Sequence, residues 1–334
     1  MLKQPITLES KFEFDSFDPS TCKEQVLLAS HYDLDAVGAT HFASKLFDVK
    51  QKFCCGYPKL LGKLQQFKDV SDTVVFVDLC VPEDTMQFAR DNFKNIYYCD
   101  HHLESENYSR WNDEDNFHYL FSHDYSATYL MASKCEQTTN KKLSYAELQF
   151  TMACDHYDMW RRDTRWLKVG YNMNHLFWRD SFFGFEKLLE RAAKLEYLQQ
   201  AVEPEQREFC LNQNKVIKEY LFNEKNYIDI DSKLKMAVYF FGNDTFFVND
   251  ILLLRPEYDI AVGFNAEKMT CSFRTDLLDI DLNAMMQQFK ADKRIALGGG
   301  HAKACGITFN DGDDGFDTVC ELLVDIEKMY YDNK

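Results

Sequence analysis

The stretch "NIYYCDHHLESE", Asn95 to Glu106, changes character at its midpoint. Its first half is a short apolar run, the texture of a strand buried on both faces. Asp100, His101 and His102 then follow in succession. Three adjacent side chains that bind metals or protons make a poor core unless each finds a partner. Two runs upstream repeat the arrangement. "QVLLAS" (Gln25 to Ser30) leads into His31, Asp33 and Asp35, and "TVVFVDL" (Thr73 to Leu79) carries Asp78. Helix-like stretches lie between them, Ala36 to Phe47 and Glu83 to Asn92, the second opened by Pro82 at a favourable first-turn position. Apolar strands alternating with helices predict an α/β domain built on a parallel sheet. In such sheets ligands gather beyond the carboxyl ends of the strands, which is where these acids and histidines fall.

Further along, Ser144 to Met159 is helical and ends in Asp155 and Asp158. The stretch Phe182 to Phe222 has helical periodicity and predicts a connector that Pro204 kinks or divides. Beyond Lys233, "KMAVYFF", "YDIAVGF" and "MTCSFRT" read as strands, with helices near Leu282 to Phe289 and Phe316 to Met329. The expected organisation is an N-terminal α/β domain over 1–175, a helical connector over 176–232 and a smaller α/β domain over 233–334.

Bulk properties narrow the function classes. Of 334 residues, 46% are hydrophobic and 15% aromatic, a composition that buries cores readily and argues against disorder. No apolar run approaches the roughly 20 residues of a membrane helix, and the N-terminal stretch lacks the pattern of a signal peptide. A cytoplasmic protein without membrane association is expected. Eleven scattered cysteines, with Cys54–Cys55 the one close pair and no C-x-x-C spacing, fit reduced thiols better than disulfides or zinc ribbons. The net charge of −16 opposes stable binding along a long duplex. Carboxylates that hold divalent cations reverse the local sign, so the balance favours a metal-bridged small ligand.

In an extended backbone His31, Asp33 and Asp35 share one face. A lone H-x-D-x-D is a weak signal that a surface turn can carry. Asp78 within an apolar strand needs a cation or strong donors, capping of a neighbouring helix being the plainer role. Mixed oxygen and nitrogen ligands suit manganese, and also iron, cobalt or zinc, better than calcium or magnesium. Two such ions about 4 Å apart activate a water and clamp a phosphoryl group for in-line displacement. A serine nucleophile is not indicated, since no G-x-S-x-G occurs.

In this order the motifs resemble those of the DHH phosphoesterases: "HYDLDAVGA", "VFVDLC", "CDHH" and "MACDHYD", followed by "CSFRT" and "GGGHAKACG" in the second domain. The resemblance runs from about residue 25 to 310. It implies a catalytic metal-binding domain and a DHH-associated substrate domain. Implied ligands of one Mn²⁺ are His31, Asp33 and Asp78; those of a second are Asp35, Asp78, His101 and Asp155. Asp158 is the alternative to Asp155. His102 would face the scissile phosphate, with Asp78 and Asp100 completing the catalytic group. Gly298, Gly299 and Gly300 would let backbone N–H groups approach a phosphate or nucleotide, and His301 and Arg274 would bind a further phosphate.

The implied activity is a Mn²⁺-dependent phosphodiesterase with two ions per site, Mg²⁺ or Co²⁺ being alternatives. Its substrates would be short oligonucleotides or linear or cyclic dinucleotides, released as mononucleotides. A RecJ-type single-strand exonuclease and a 3′,5′-bisphosphate nucleotide phosphatase are the alternatives, and a non-catalytic nucleotide-binding protein is the reading from another class. An oligomer is compatible with the sequence. The run "WRRDTRWLK" (Trp160 to Lys168) could stack and neutralise a nucleic-acid strand, though a helix packed by its tryptophans is the plainer reading. His41, His118, His123, His156 and His175 read as structural or surface residues.

Overall fold

Strands that are apolar at every position form the centre of the first sheet because helices cover both of its faces. The structure, a computed structural model, describes residues 6–162, 165–241, 248–277, 279–289, 292–310 and 315–332, the side chains of Pro58 and His301 excepted. The chain divides into two compact units, Met1–Cys210 and Leu211–Lys334.

The first unit runs β1 (Phe14–Asp15), β2 (Val26–Ser30), α1 (Leu34–Leu46), β3 (Val49–Cys54), α2 (Tyr57–Phe67), β4 (Thr73–Val77), α3 (Glu83–Asn92), β5 (Asn95–Asp100), β6 (Phe117–Phe121), α4 (Ala127–Thr139), α5 (Tyr145–Asp158), α6 (Arg165–Ala192), α7 (Leu198–Ala201) and the start of α8 (Pro204–Leu221). Strand order is β1-β6-β5-β4-β2-β3, with β3, β2, β4, β5 and β6 parallel and β1 antiparallel at the edge. Alternate residues feed two separate cores. Leu27, Val74, Phe76 and Tyr98 pack with Leu60 of α2 and Met86 of α3. Leu28, Val75, Val77 and Tyr97 pack with Phe42 of α1 and Leu130 of α4. This is the predicted α/β architecture.

Boundaries differ where side chains intervene. β4 stops two residues early because Asp78 adopts φ 50°, and α1 starts at Leu34 because Asp33 caps it. β3 escaped the sequence reading because its exposed Lys50 and Gln51 give an edge strand a polar texture. The connector is more broken than expected. Pro204 opens α8, at a position where a missing N–H costs nothing, while an unforeseen break within α6 falls at Ser181 (φ 63°).

The second unit continues from α8 through β7 (Tyr227–Ile230), β8 (Met236–Phe240), α9 (Val248–Leu254), β9 (Ile260–Asn265), β10 (Thr270–Thr275), α10 (Leu282–Phe289), β11 (Ile295–His301), β12 (Ala304–Phe309) and α11 (Gly315–Asp332). Its sheet is ordered β11-β12-β10-β9-β8-β7, parallel between β8 and β9 and antiparallel elsewhere. Val319, Leu322 and Leu323 of α11 and Met285 and Met286 of α10 fill one core with Val238, Val262 and Phe273.

Helix contacts fix the edge of the first sheet from which the acids project. A Cβ on Gly38 would stand 2.2 Å from Thr128 Oγ1 and 2.8 Å from Phe150 Cε1, so only glycine lets α1 sit this close to α4 and α5. Glu147 of α5 accepts from His41 Nε2 (2.9 Å) and from Lys45 Nζ, both on α1. It also closes a capping box with Ser144. Burial alone would raise its pKa, but the His41 and Lys45 bonds and charges hold it at about 2. A depressed carboxylate contributes stability above its unfolded value, here 4.5, and loses it as pH falls through the folded value. Glu147→Gln keeps the cap but removes the charge, and is expected to cost about 3 kcal/mol in urea unfolding at pH 7. The gap between variant and wild type closes as pH falls from about 4.5 to 2. An equal gap at all pH values would refute the ion-pair account.

Candidate metal centre

Each strand end contributes a different kind of donor. After β2, Asp33 is extended (φ −153°) and caps α1, its Oδ1 accepting from Ala36 N at 2.8 Å. Its Oδ2 lies 2.6 Å from His31 Nδ1. Asp35 falls in the first turn of α1, so the three motif residues do not share one extended face as expected. The carboxylate of Asp35 instead receives Ala127 N (2.8 Å) and Thr128 N (2.9 Å), the first amides of α4. The positive end of that helix faces it.

Asp78 follows β4. Its N–H donates to Cys99 O (3.0 Å), and its side chain is buried. Oδ2 has no hydrogen-bond partner among the described residues. The helix-capping role is not found, because the N-cap of α3 is Pro82. Burial, together with Asp33, Asp35, Asp158 and Asp100, pushes this carboxyl well above the usual aspartate range. A left-handed aspartate with an unpaired buried oxygen is costly on two counts.

The triplet after β5 splits into two roles. His101 turns its Nε2 towards acids: 3.4 Å from Asp78 Oδ1, 3.4 Å from Asp158 Oδ2 and 3.7 Å from Asp35 Oδ2. Asp100 is saturated instead. Oδ1 accepts from His101 N (2.9 Å) and meets His102 Nδ1 (2.7 Å), while Oδ2 accepts from Tyr98 Oη (3.1 Å) and from Ser105 Oγ. It fixes the His102 ring through Nδ1. Burial opposes charge on both groups. The attraction between them prevails, holding Asp100 below the usual range and raising His102 to about 9.

In the fourth motif the two candidates, Asp155 and Asp158, are placed differently. That carboxylate is committed to Ser126 N (2.9 Å) and Arg161 Nε (2.8 Å). Burial pushes it up to about 6. Asp158, at the last turn of α5, reaches His101, and its Oδ2 is buried without a hydrogen-bond partner among the described residues. The helix carries Asp155 one turn away from the sheet edge, and only its end meets the cluster. Three groups result whose potential ligand atoms lie within 4.8 Å of one another: His31, Asp33 and Asp78; Asp35, His101 and Asp158; and Asp78, Asp100, His101 and His102. Asp78 belongs to two of them. Carboxylate oxygens and imidazole nitrogens at this spacing, two oxygens lacking donors, fit divalent cations.

In the second unit Arg274 donates from Nη1 to Phe273 O (2.8 Å) and from Nε to Asn249 Oδ1. Register aligns Arg274, Ala304 and His301 in one row across β10, β12 and β11. The side chain of His301 lies outside the described residues. Gly298 and Gly299 have room for a Cβ, but Gly300 (φ 144°) does not: one would stand 2.3 Å from Ala304 O. In the run from Trp160 to Lys168, residues 163 and 164 lie outside the described residues. Trp160 is buried with φ 51°, and Arg161 is held by Asp155 and Asp124 O. Further on, Leu167 is buried, Trp166 is half-buried, and Arg165 and Lys168 are exposed.

The motif reading missed Tyr98, Ser105 and Tyr57. Tyr98 shares a strand face with Asp100, a signal the period of two offers. Its one hydroxyl hydrogen is shared between Leu79 O (2.7 Å) and Asp100 Oδ2 (3.1 Å), tying the end of β5 to the turn after Asp78. The ring of Tyr57 stacks on His31 (5.4 Å, 14°), which no local pattern announces.

No family model and no curated protein matches the sequence. Solved structures do resemble the chain. The pGpG-specific phosphodiesterase PggH from Vibrio cholrae aligns over 90% of this chain and 99% of its own, with 13% identity and a TM-score of 0.54. Exonuclease RecJ bound to manganese aligns over 92% and 90%, with 12% identity and a TM-score of 0.54. The DHH domain of a member of the s1p family of ribosomal proteins aligns over 92% and 86%, with 11% identity and a TM-score of 0.54. Similarity over nine-tenths of the chain, at identities this low, establishes architecture: the protein has the DHH-family fold.

Proposed function

We propose that the chain is a Mn²⁺-dependent phosphodiesterase that hydrolyses short oligonucleotides or dinucleotides to mononucleotides. The observation that carries this is Asp78: a buried carboxylate in a left-handed turn, one oxygen without a donor, common to two groups of potential ligands. His31, Asp33 and Asp78 would hold one divalent cation, and Asp35, Asp78, His101 and Asp158 the other. Bound there, such ions supply Lewis acidity to a phosphoryl group and lower the pKa of water.

The chain's own groups do the rest. Asp100 holds His102 by Nδ1, so its Nε2 can donate to a phosphate oxygen as charge builds there. The helix N-terminus behind Asp35 and the Ala36 amide on Asp33 hold two carboxylates in place. Within the second unit, Arg274 and the glycine row of β11 would take a phosphate or nucleotide group. The pGpG specificity of one structural neighbour and the exonuclease name of another support the same class. The net charge of −16 favours short substrates over a long strand held along its length.

A panel of di- to decanucleotides, pGpG and cyclic dinucleotides, incubated with protein and Mn²⁺ and resolved by product length, tests this. Mononucleotides are expected first from the shortest members, with turnover lost in EDTA and reduced to background in Asp78→Ala. Survival of dinucleotides while long single strands are consumed would favour an exonuclease instead.

A second expectation concerns stability. Without metal, Asp78 is a carboxyl whose pKa is raised in the folded state, so it costs stability as pH rises above the ordinary aspartate range. Asp78→Asn is expected to raise the melting temperature in EDTA at pH 7.5 by roughly 3 °C, or about 1 kcal/mol. The gain should vanish near pH 4, and the upward shift that Mn²⁺ gives the wild type should be mostly lost. A variant that melts lower in EDTA yet keeps the full Mn²⁺ shift would count against a metal role for Asp78.

A further inference from the structure

Tyr32 stands between His31 and Asp33 in the chain, yet its ring joins a different neighbourhood. It meets Phe177 at 5.4 Å, Trp178 at 5.8 Å and Phe182 at 6.0 Å. Phe177 and Phe182 are buried, whereas Trp178 and Phe183 are 49% and 55% exposed. On an unbroken helix, residues five apart point about 140° away from each other. Ser181, in the left-handed region at φ 63°, breaks α6 between them. The break lets both phenylalanines stay in the core while both neighbouring rings stay at the surface. Holding a non-glycine residue in that conformation is unfavourable, and such strain clusters at functional positions.

We propose that Trp178 and Phe183 form a stacking surface for an unpaired nucleobase of a substrate whose phosphate lies at the acidic cluster. This rests on the phosphodiesterase reading and adds to it the group that recognises the base. Chain continuity supplies the placement, because Tyr32 links the aromatic patch to two of the proposed ligands within one residue on either side. Area selects the occupant. An aromatic side chain carries about 150–250 Å², so two half-exposed rings offer roughly 200 Å². That matches a base or two and falls far below the ~800 Å² per partner of a stable protein interface. The rings are backed by fixed neighbours: Phe177 and Tyr32 contact Trp178, Phe182 contacts Phe183, and Lys52 Nζ lies 6.0 Å from the Phe183 ring while paired with Glu186. A stacking platform reads no sequence, so discrimination among bases is expected to be weak.

The test compares wild type with Trp178→Ala, Phe183→Ala and Trp178→Phe on two substrates. One is the thymidine dinucleotide pTpT, and the other is the same backbone with both bases removed. For pTpT the alanine variants should raise KM roughly 5- to 100-fold, with kcat changed less than about twofold. KM for the abasic analogue should not move, and Trp178→Phe should restore most of the loss. A second arm, in Mn²⁺, follows the fluorescence of a 2-aminopurine dinucleotide joined by a non-hydrolysable phosphonate, which stacking quenches. Quenching should saturate with wild type and weaken in both alanine variants. Equal KM values for pTpT in wild type and variants would overturn the stacking surface and leave the phosphodiesterase intact. Absence of turnover on both substrates would instead sink the phosphodiesterase reading, and equal quenching by wild type and variants would then overturn the stacking surface independently.

Discussion

Buried carboxylate charge is the constraint around which the first unit is organised. Asp35, Asp78, Asp100 and Asp155 are all nearly inaccessible, and they crowd one edge of a six-stranded sheet. In an interior of low dielectric such a group is strongly unfavourable unless donors or cations surround it. The fold answers for three of them with backbone amides, hydroxyls, imidazole and guanidinium. Asp78 keeps one oxygen without an answer.

The parallel sheet makes this crowding feasible. Every strand from β3 to β6 runs the same way, and the connections that open α1 and α4 bring those helix N-termini to the acids. Asp33 caps α1, Asp35 receives the first amides of α4, and Ser126, the cap of α4, has its own N–H on Asp155. Structure and site are therefore the same set of bonds. Tyr98 extends the set sideways by joining Asp100 to Leu79 O, so the orientation of His102 and the turn at Asp78 are mechanically linked. The aromatic contacts of Tyr32 begin at the same connection, between His31 and Asp33 in the chain. A phosphate at the acids and a base at Trp178 would together span that loop.

The sequence by itself determined the α/β class, the central strands β2, β4 and β5, and helix α3 to the residue, because uninterrupted apolar runs and Pro82 leave few alternatives. It also marked His31, Asp33, Asp78 and His101 as chemistry-bearing, since a polar residue in or beside a buried strand announces itself. Tertiary structure decided the rest. Whether Asp155 or Asp158 meets His101 depends on where α5 ends against the sheet, a distance invisible to helical periodicity that treats both as one face. The separation of Asp100 from its neighbours depends on donors five or fewer residues away in sequence that only a folded β5 and its following turn align. β3 and the break at Ser181 escaped for the converse reason: an exposed edge strand and a strained turn are stabilised by packing from distant segments, and local propensity carries no record of that.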